Sequence, residues 1–129
     1  MLRKRLVIGL FAILLLQVNF ALGQDLKLAK LKYSGGGDWY ANKTALPNLI
    51  DFCNRNLNMS LAIEEDEVDV GSPELFLYAY IYMTGHGNVV FSTSEAENLR
   101  KYLLGGGFLH IDDNYGLDQF IRLEMKKVF

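Results

Sequence analysis

Apolar and polar positions along this chain fall into two rhythms. Residues 28–33, 76–83 and 107–111 are short apolar stretches, and each runs into a polar turn that carries glycine, at residues 34–40, 84–87 and 112–116. Between them the spacing becomes helical. Leu46, Leu49, Ile50, Cys53 and Leu57 share one stripe, with Pro47 tolerated in the first turn. Ala96, Leu99, Tyr102 and Leu103 form a second stripe, opened by Ser94 as a cap with Glu97 reaching back and closed by Gly105 in the left-handed conformation. Leu117, Phe120, Ile121, Met125 and Val128 predict a last helix that ends with the chain.

The strands are read from alternation. Leu26, Leu28, Lys30 and Lys32 take one side of strand one and Ala29, Leu31 and Tyr33 the other. Residues 59–63 are the candidate for strand two, followed by the acidic stretch Glu64-Glu65-Asp66-Glu67 and Asp69, read as a solvated loop, and by Gly71-Ser72-Pro73. Residues 76–83 are nearly continuously apolar, as in a strand covered on both faces, which makes strand three the centre of the sheet. Residues 88–91 predict a brief extended piece, and 107–111 strand four. Strands alternating with helices through short links imply parallel pairing and a three-layer α/β sandwich. The three turns then meet at the carboxyl edge of one sheet, where ligands bind in open α/β folds.

Residues 1–23 read as an export signal: Arg3-Lys4-Arg5, an apolar run over 6–16, and Ala21-Leu22-Gly23 before the cleavage point. The run is shorter than the roughly 20 residues of a membrane span, so no stable span is expected after cleavage. Removing the signal takes away three basic and no acidic residues, changing the formal charge from −2 to −5. That sign argues against a nucleic-acid binder, which needs basic charge clustered along one face. Cys53 is the only cysteine, so an exported product has no internal disulfide and depends on its core. The chain stops on Phe129 with few strands for a doubly wound sheet, which raises the expectation of a C-terminal truncation or of a partner covering the open side.

Candidate chemistry gathers in the turns. In strand four Phe108, His110 and Asp112 point to one face and Leu109, Ile111 and Asp113 to the other. The adjacent acids repel unless a cation, a shared proton or backbone amides compensate. One reading makes His86, His110, Asp112 and Asp113 a site for a divalent metal. The other has His110 hydrogen-bonded inside, an aspartate capping the last helix, and His86 exposed in its turn. Gly35, Gly36, Gly37, Gly85 and Gly87 allow positive φ and close approach of backbone to a ligand. Asp38, Trp39 and Tyr40 beside the first turn, and Asn114 and Tyr115 beside the third, complete the candidate ligand-binding set, with Trp39 and Tyr40 placed either to stack on a sugar ring or to fold over the core. Neither glycine turn is a phosphate loop or dinucleotide fingerprint, and Cys53 on an apolar stripe reads as a buried small residue rather than a nucleophile.

The runs Leu31-Lys32-Tyr33-Ser34-Gly35-Gly36-Gly37-Asp38-Trp39-Tyr40, Ala45-Leu46-Pro47-Asn48-Leu49, Tyr82-Met83-Thr84-Gly85-His86-Gly87, Leu99-Arg100-Lys101-Tyr102-Leu103-Leu104-Gly105-Gly106-Gly107-Phe108 and Asp112-Asp113-Asn114-Tyr115-Gly116 together resemble the bacterial domain-of-unknown-function 4159 family. The resemblance implies a flavodoxin-like sandwich similar to class I glutamine amidotransferases and ThuA-like proteins. Where an amidotransferase would carry its cysteine nucleophile this sequence reads His110-Ile111-Asp112-Asp113, so glutamine hydrolysis is not implied. Relatives extend further at the C-terminus and are associated with membrane regions or MoxR-type ATPase systems, which implies an envelope role. The leading expectation is an exported domain that binds a small polar ligand, such as a carbohydrate. The alternatives are a metal- or carboxylate-assisted hydrolase using Asp112 or Asp113 with His86 or His110, and a module that docks on an envelope protein through an open edge or face.

Overall fold

A computed structural model describes residues 26–129; the export signal expected over residues 1–23 lies outside the described residues. The order is β1 (Ala29–Lys32), α1 (Ala45–Asn56), β2 (Asp66–Asp69), a 3-10 turn (Pro73–Leu77), β3 (Tyr80–His86), α2 (Thr93–Leu104), β4 (Phe108–Tyr115) and α3 (Asp118–Val128). All four strands are parallel, in the order β2-β1-β3-β4. Alternation along β1 and β3 sends Ala29, Leu31, Ile81 and Met83 to a core with Ala96 and Leu99 of α2 and Ile121 and Val128 of α3. Leu28 and Tyr82 go to a second core with Leu46 and Ile50 of α1. The result is the three-layer α/β sandwich that alternation predicts, flavodoxin-like as the resemblance implies, with each fully buried aliphatic side chain contributing about 1.5–3 kcal/mol.

Several boundaries differ from expectation. The second paired strand is Asp66–Asp69, inside the stretch read as a loop, whereas residues 59–63 supply only a bridge from Leu61 to Leu26. Val68 and Val70 are the inward residues that decide this, at 2% and 0% exposure. The edge position lets the acids face outward, where Lys27 meets Asp66 at 3.1 Å and Lys32 meets Asp69 at 3.7 Å. The apolar run 76–83 divides at Ala79. Ser72 accepts from Glu74 N–H and Pro73 starts a 3-10 turn, leaving Phe76 and Leu77 exposed.

The cap of α2 lies two residues before the expected one. Ser92 and Glu95 form the capping box in place of Ser94 and Glu97, and Gly106 at φ +96° takes the left-handed position expected of Gly105. Strand β4 continues through Asp112, Asp113 and Asn114 to Tyr115, so the third turn shrinks to its end at Gly116. The extended piece over 88–91 is a single antiparallel bridge, Val90 to Ser34.

Candidate functional site

With strand order 2-1-3-4, the direction of the sheet reverses between β1 and β3, and the loops leaving those strands, residues 33–44 and 87–92, flank the crevice that this reversal opens. The loops interlock. Gly37 N–H donates to Asn88 O at 3.0 Å and Val90 N–H to Ser34 O at 2.8 Å. A Cβ on Gly35 would sit 2.7 Å from Val90 N, one on Gly37 2.6 Å from Asn88 O, and one on Gly85 2.2 Å from Tyr33 Oη. These three glycines therefore serve loop-on-loop packing rather than ligand approach. Gly36 and Gly87 face open space.

Alternation puts Tyr80, Tyr82 and Thr84 of β3 on the α1 side of the sheet, beside Phe108, His110 and Asp112 of β4. Asn42, in the left-handed region at φ 52°, reaches over this row from the first loop. Its amide nitrogen lies 2.7 Å from Asn114 Oδ1, 3.0 Å from Thr84 Oγ1, 3.2 Å from Asp112 Oδ2 and 3.3 Å from Tyr82 Oη. Asn114 Nδ2 returns a bond to Asn42 Oδ1 at 3.1 Å, and Tyr82 Oη donates to Asp112 Oδ2 at 2.5 Å. A register shift after Gly85 pairs His86 with Tyr115, so Asn114 is the extra residue of a β-bulge, which aims it at the same hub as Asp112. Burial raises the Tyr82 phenol above its ordinary value, helped by the Asp112 carboxylate and opposed by donors from Asn42 and Thr84.

Asp38 and His86 form a second unit beyond the end of β3. Asp38 Oδ1 accepts the His86 backbone N–H at 2.5 Å and Oδ2 lies 2.9 Å from His86 Nδ1. The His86 backbone and ring bonds hold the Asp38 carboxyl below its ordinary range. A carboxylate only accepts, so Nδ1 carries a proton toward Asp38, and Nε2 is the nitrogen not engaged with Asp38 on a ring that is 55% exposed.

The structure separates the other predicted residues. Asp112 and Asp113 point to opposite faces, and Asp113 accepts from Leu117 N–H at 2.8 Å and Asp118 N–H at 3.2 Å, capping α3. His110 Nδ1 lies 2.6 Å from Tyr80 Oη on an exposed part of the sheet, not in the interior. Among the described residues no group of three or more His, Cys, Asp or Glu side chains is placed to hold a metal, and His86, His110, Asp112 and Asp113 do not converge. Trp39 packs against the main core under the Lys32 ammonium at 5.6 Å, while Tyr40 and Tyr115 are exposed. Half-buried Cys53 borders the smaller core.

Sequence reading missed Asn42, Tyr82 and Thr84. Tyr82 was hidden in the apolar run and Thr84 was read as the start of the turn, although their i, i+2 spacing with Tyr80 carried the signal. Asn42 carried none, because its reach depends on the loop. A separate open groove of about 640 Å³ lies on the opposite face between β4 and α3, lined by Ile111, Ile121, Met125 and Phe129 among others. Asp113, Asp118, Arg122 and Lys126 complete its lining, with Asp113 committed to capping α3 and Asp118 paired with Arg122 at 2.7 Å. No helix among the described residues is long and apolar enough to cross a membrane. A family model described as a domain of unknown function (DUF4159) matches residues 27–129. No curated protein matches the chain.

Proposed function

The chain belongs to the DUF4159 family, and from that premise we propose that it is an exported envelope domain that binds a small hydroxylated ligand, of the carbohydrate class, on the α1-side face of β3 and β4. The observation that carries this reading is one surface joining an aromatic strip to convergent polar groups. Phe108, 59% exposed, stacks on Tyr80 at 5.6 Å, and His110 meets Tyr80 and Tyr82 edge-on. The Asn42, Asp112 and Asn114 hub continues the strip toward the carboxyl edge. Apolar ring faces beside paired donors and acceptors suit a sugar, which presents C–H patches and hydroxyls together. Thermal-shift titration with mono- and disaccharides tests this. Phe108→Ala and Asn114→Ala should each weaken a hit about tenfold, or ~1.4 kcal/mol; affinity unchanged in both contradicts the assignment.

The Asp38–His86 geometry favours a second reading, in which His86 Nε2 acts as a general base oriented by Asp38. It replaces the pairing of His86 with Asp112 or Asp113. Chromogenic esters, phosphates and glycosides provide the assay: turnover lost in His86→Ala and reduced in Asp38→Asn supports it, and turnover indifferent to both rules it out.

A further inference from the structure

We propose that the Asn42 amide is a built-in stand-in for the primary ammonium group of a ligand, and that the four oxygens around it are that group's binding site. The inference rests on the ligand-binding reading above and deepens it by naming the group that enters the hub. Donor counting leads to it. An amide nitrogen has two hydrogens. One is committed to Asn114 Oδ1, the nearest acceptor at 2.7 Å, within a reciprocal amide pair. The other is left to serve Thr84 Oγ1, Asp112 Oδ2 and Tyr82 Oη, all at 3.0–3.3 Å.

A primary ammonium at the same point brings three hydrogens and a positive charge. The charge has a matching partner, because among the described residues Asp112 takes part in none of the ion pairs. Tyr82 and Thr84 are 3% and 0% exposed, so packing around both side chains holds their oxygens facing the amide. Buried acceptors of this kind reject a group that lacks donors. Asn42 itself is half-buried, in a loop segment bounded by the turns Ala41 N–H to Asp38 O and Ala45 N–H to Asn42 O.

Asn42→Gly empties the hub while keeping a residue suited to φ 52°. The full chain carrying this change is titrated with methylammonium, tetramethylammonium and potassium chlorides at matched ionic strength, and with acetamide, reading thermal shift and amide NMR shifts. Methylammonium should bind saturably and at least tenfold more tightly than tetramethylammonium or potassium, more weakly in the native chain where the amide competes, and at least tenfold more weakly when Asp112→Asn is added. Equal response to the two ammonium salts, tighter binding of potassium, or binding that survives Asp112→Asn overturns the inference. Acetamide alone binding overturns it too but leaves the carbohydrate reading standing, whereas no response to any probe or saccharide removes both. Should Asn42→Gly fail to fold by circular dichroism, the native chain decides: glucosamine must bind more tightly than glucose, with the difference lost in Asp112→Asn, and equal affinities refute the proposal.

Discussion

Tyr33 ties the two glycine turns together at single-residue scale. Its buried hydroxyl donates to Thr84 O at 3.0 Å and closes on Gly85, leaving no room for a side chain there. Burial and the nearby Asp38 carboxylate push the phenol up to about 12. Because the folded value lies above the unfolded one of about 10, the stabilisation is complete below pH 10 and is lost as pH rises through about 12. Tyr33→Phe should therefore lose about 1 kcal/mol at neutral pH through the missing hydrogen bond. Its stability should fall less steeply between pH 10 and 12, by urea unfolding at each pH. Tyr82 and Tyr102, both raised by burial, keep some slope in the variant. An identical slope in both proteins would dissociate Tyr33 from the alkaline limb. Asp38 works with the opposite sign: its lowered carboxyl contributes above the usual carboxylate range and that contribution fades as pH falls below it.

Elements were legible where periodicity was strong, and their ends were not. The stripes Leu46 to Leu57, Ala96 to Leu103 and Leu117 to Val128 all became helices, because one apolar face suffices to dock a helix on a sheet. The start of α2 was misplaced because Ser92-x-x-Glu95 and Ser94-x-x-Glu97 are equally good capping boxes as text. Phe91, 2% exposed, anchors the chain and settles the choice, while Glu124 of α3 accepts its N–H at 2.6 Å. Ser92→Ala is expected to cost about 1 kcal/mol in chemical denaturation and Ser94→Ala about half as much or less; the reverse order would restore the downstream cap. Strand β2 was illegible for a different reason. Its inward Val68, followed by Val70 just past the strand, sits among acids whose partners are distant in sequence, Lys27 and Tyr78 for Asp66 and Lys32 for Asp69.

Across the whole molecule, the sheet's reversal between β1 and β3 put the first and second turns side by side, as the parallel reading required. What sequence could not supply was the role of each member. Glycines that read as a ligand cradle are the contact surface between two loops, and the paired aspartates divide between opposite faces, one capping α3 and one joining the hub. Asn42 lies 40 to 72 positions from the other members of the hub, so no local motif announces it. Amide chemical-shift mapping with a saturating amino sugar tests the central claim most directly. Perturbations should concentrate in residues 38–44, 80–86 and 108–115; shifts confined to Ile121, Met125 and Phe129 along the opposite groove, or spread without focus, would contradict a binding centre on β3 and β4 toward their carboxyl edge.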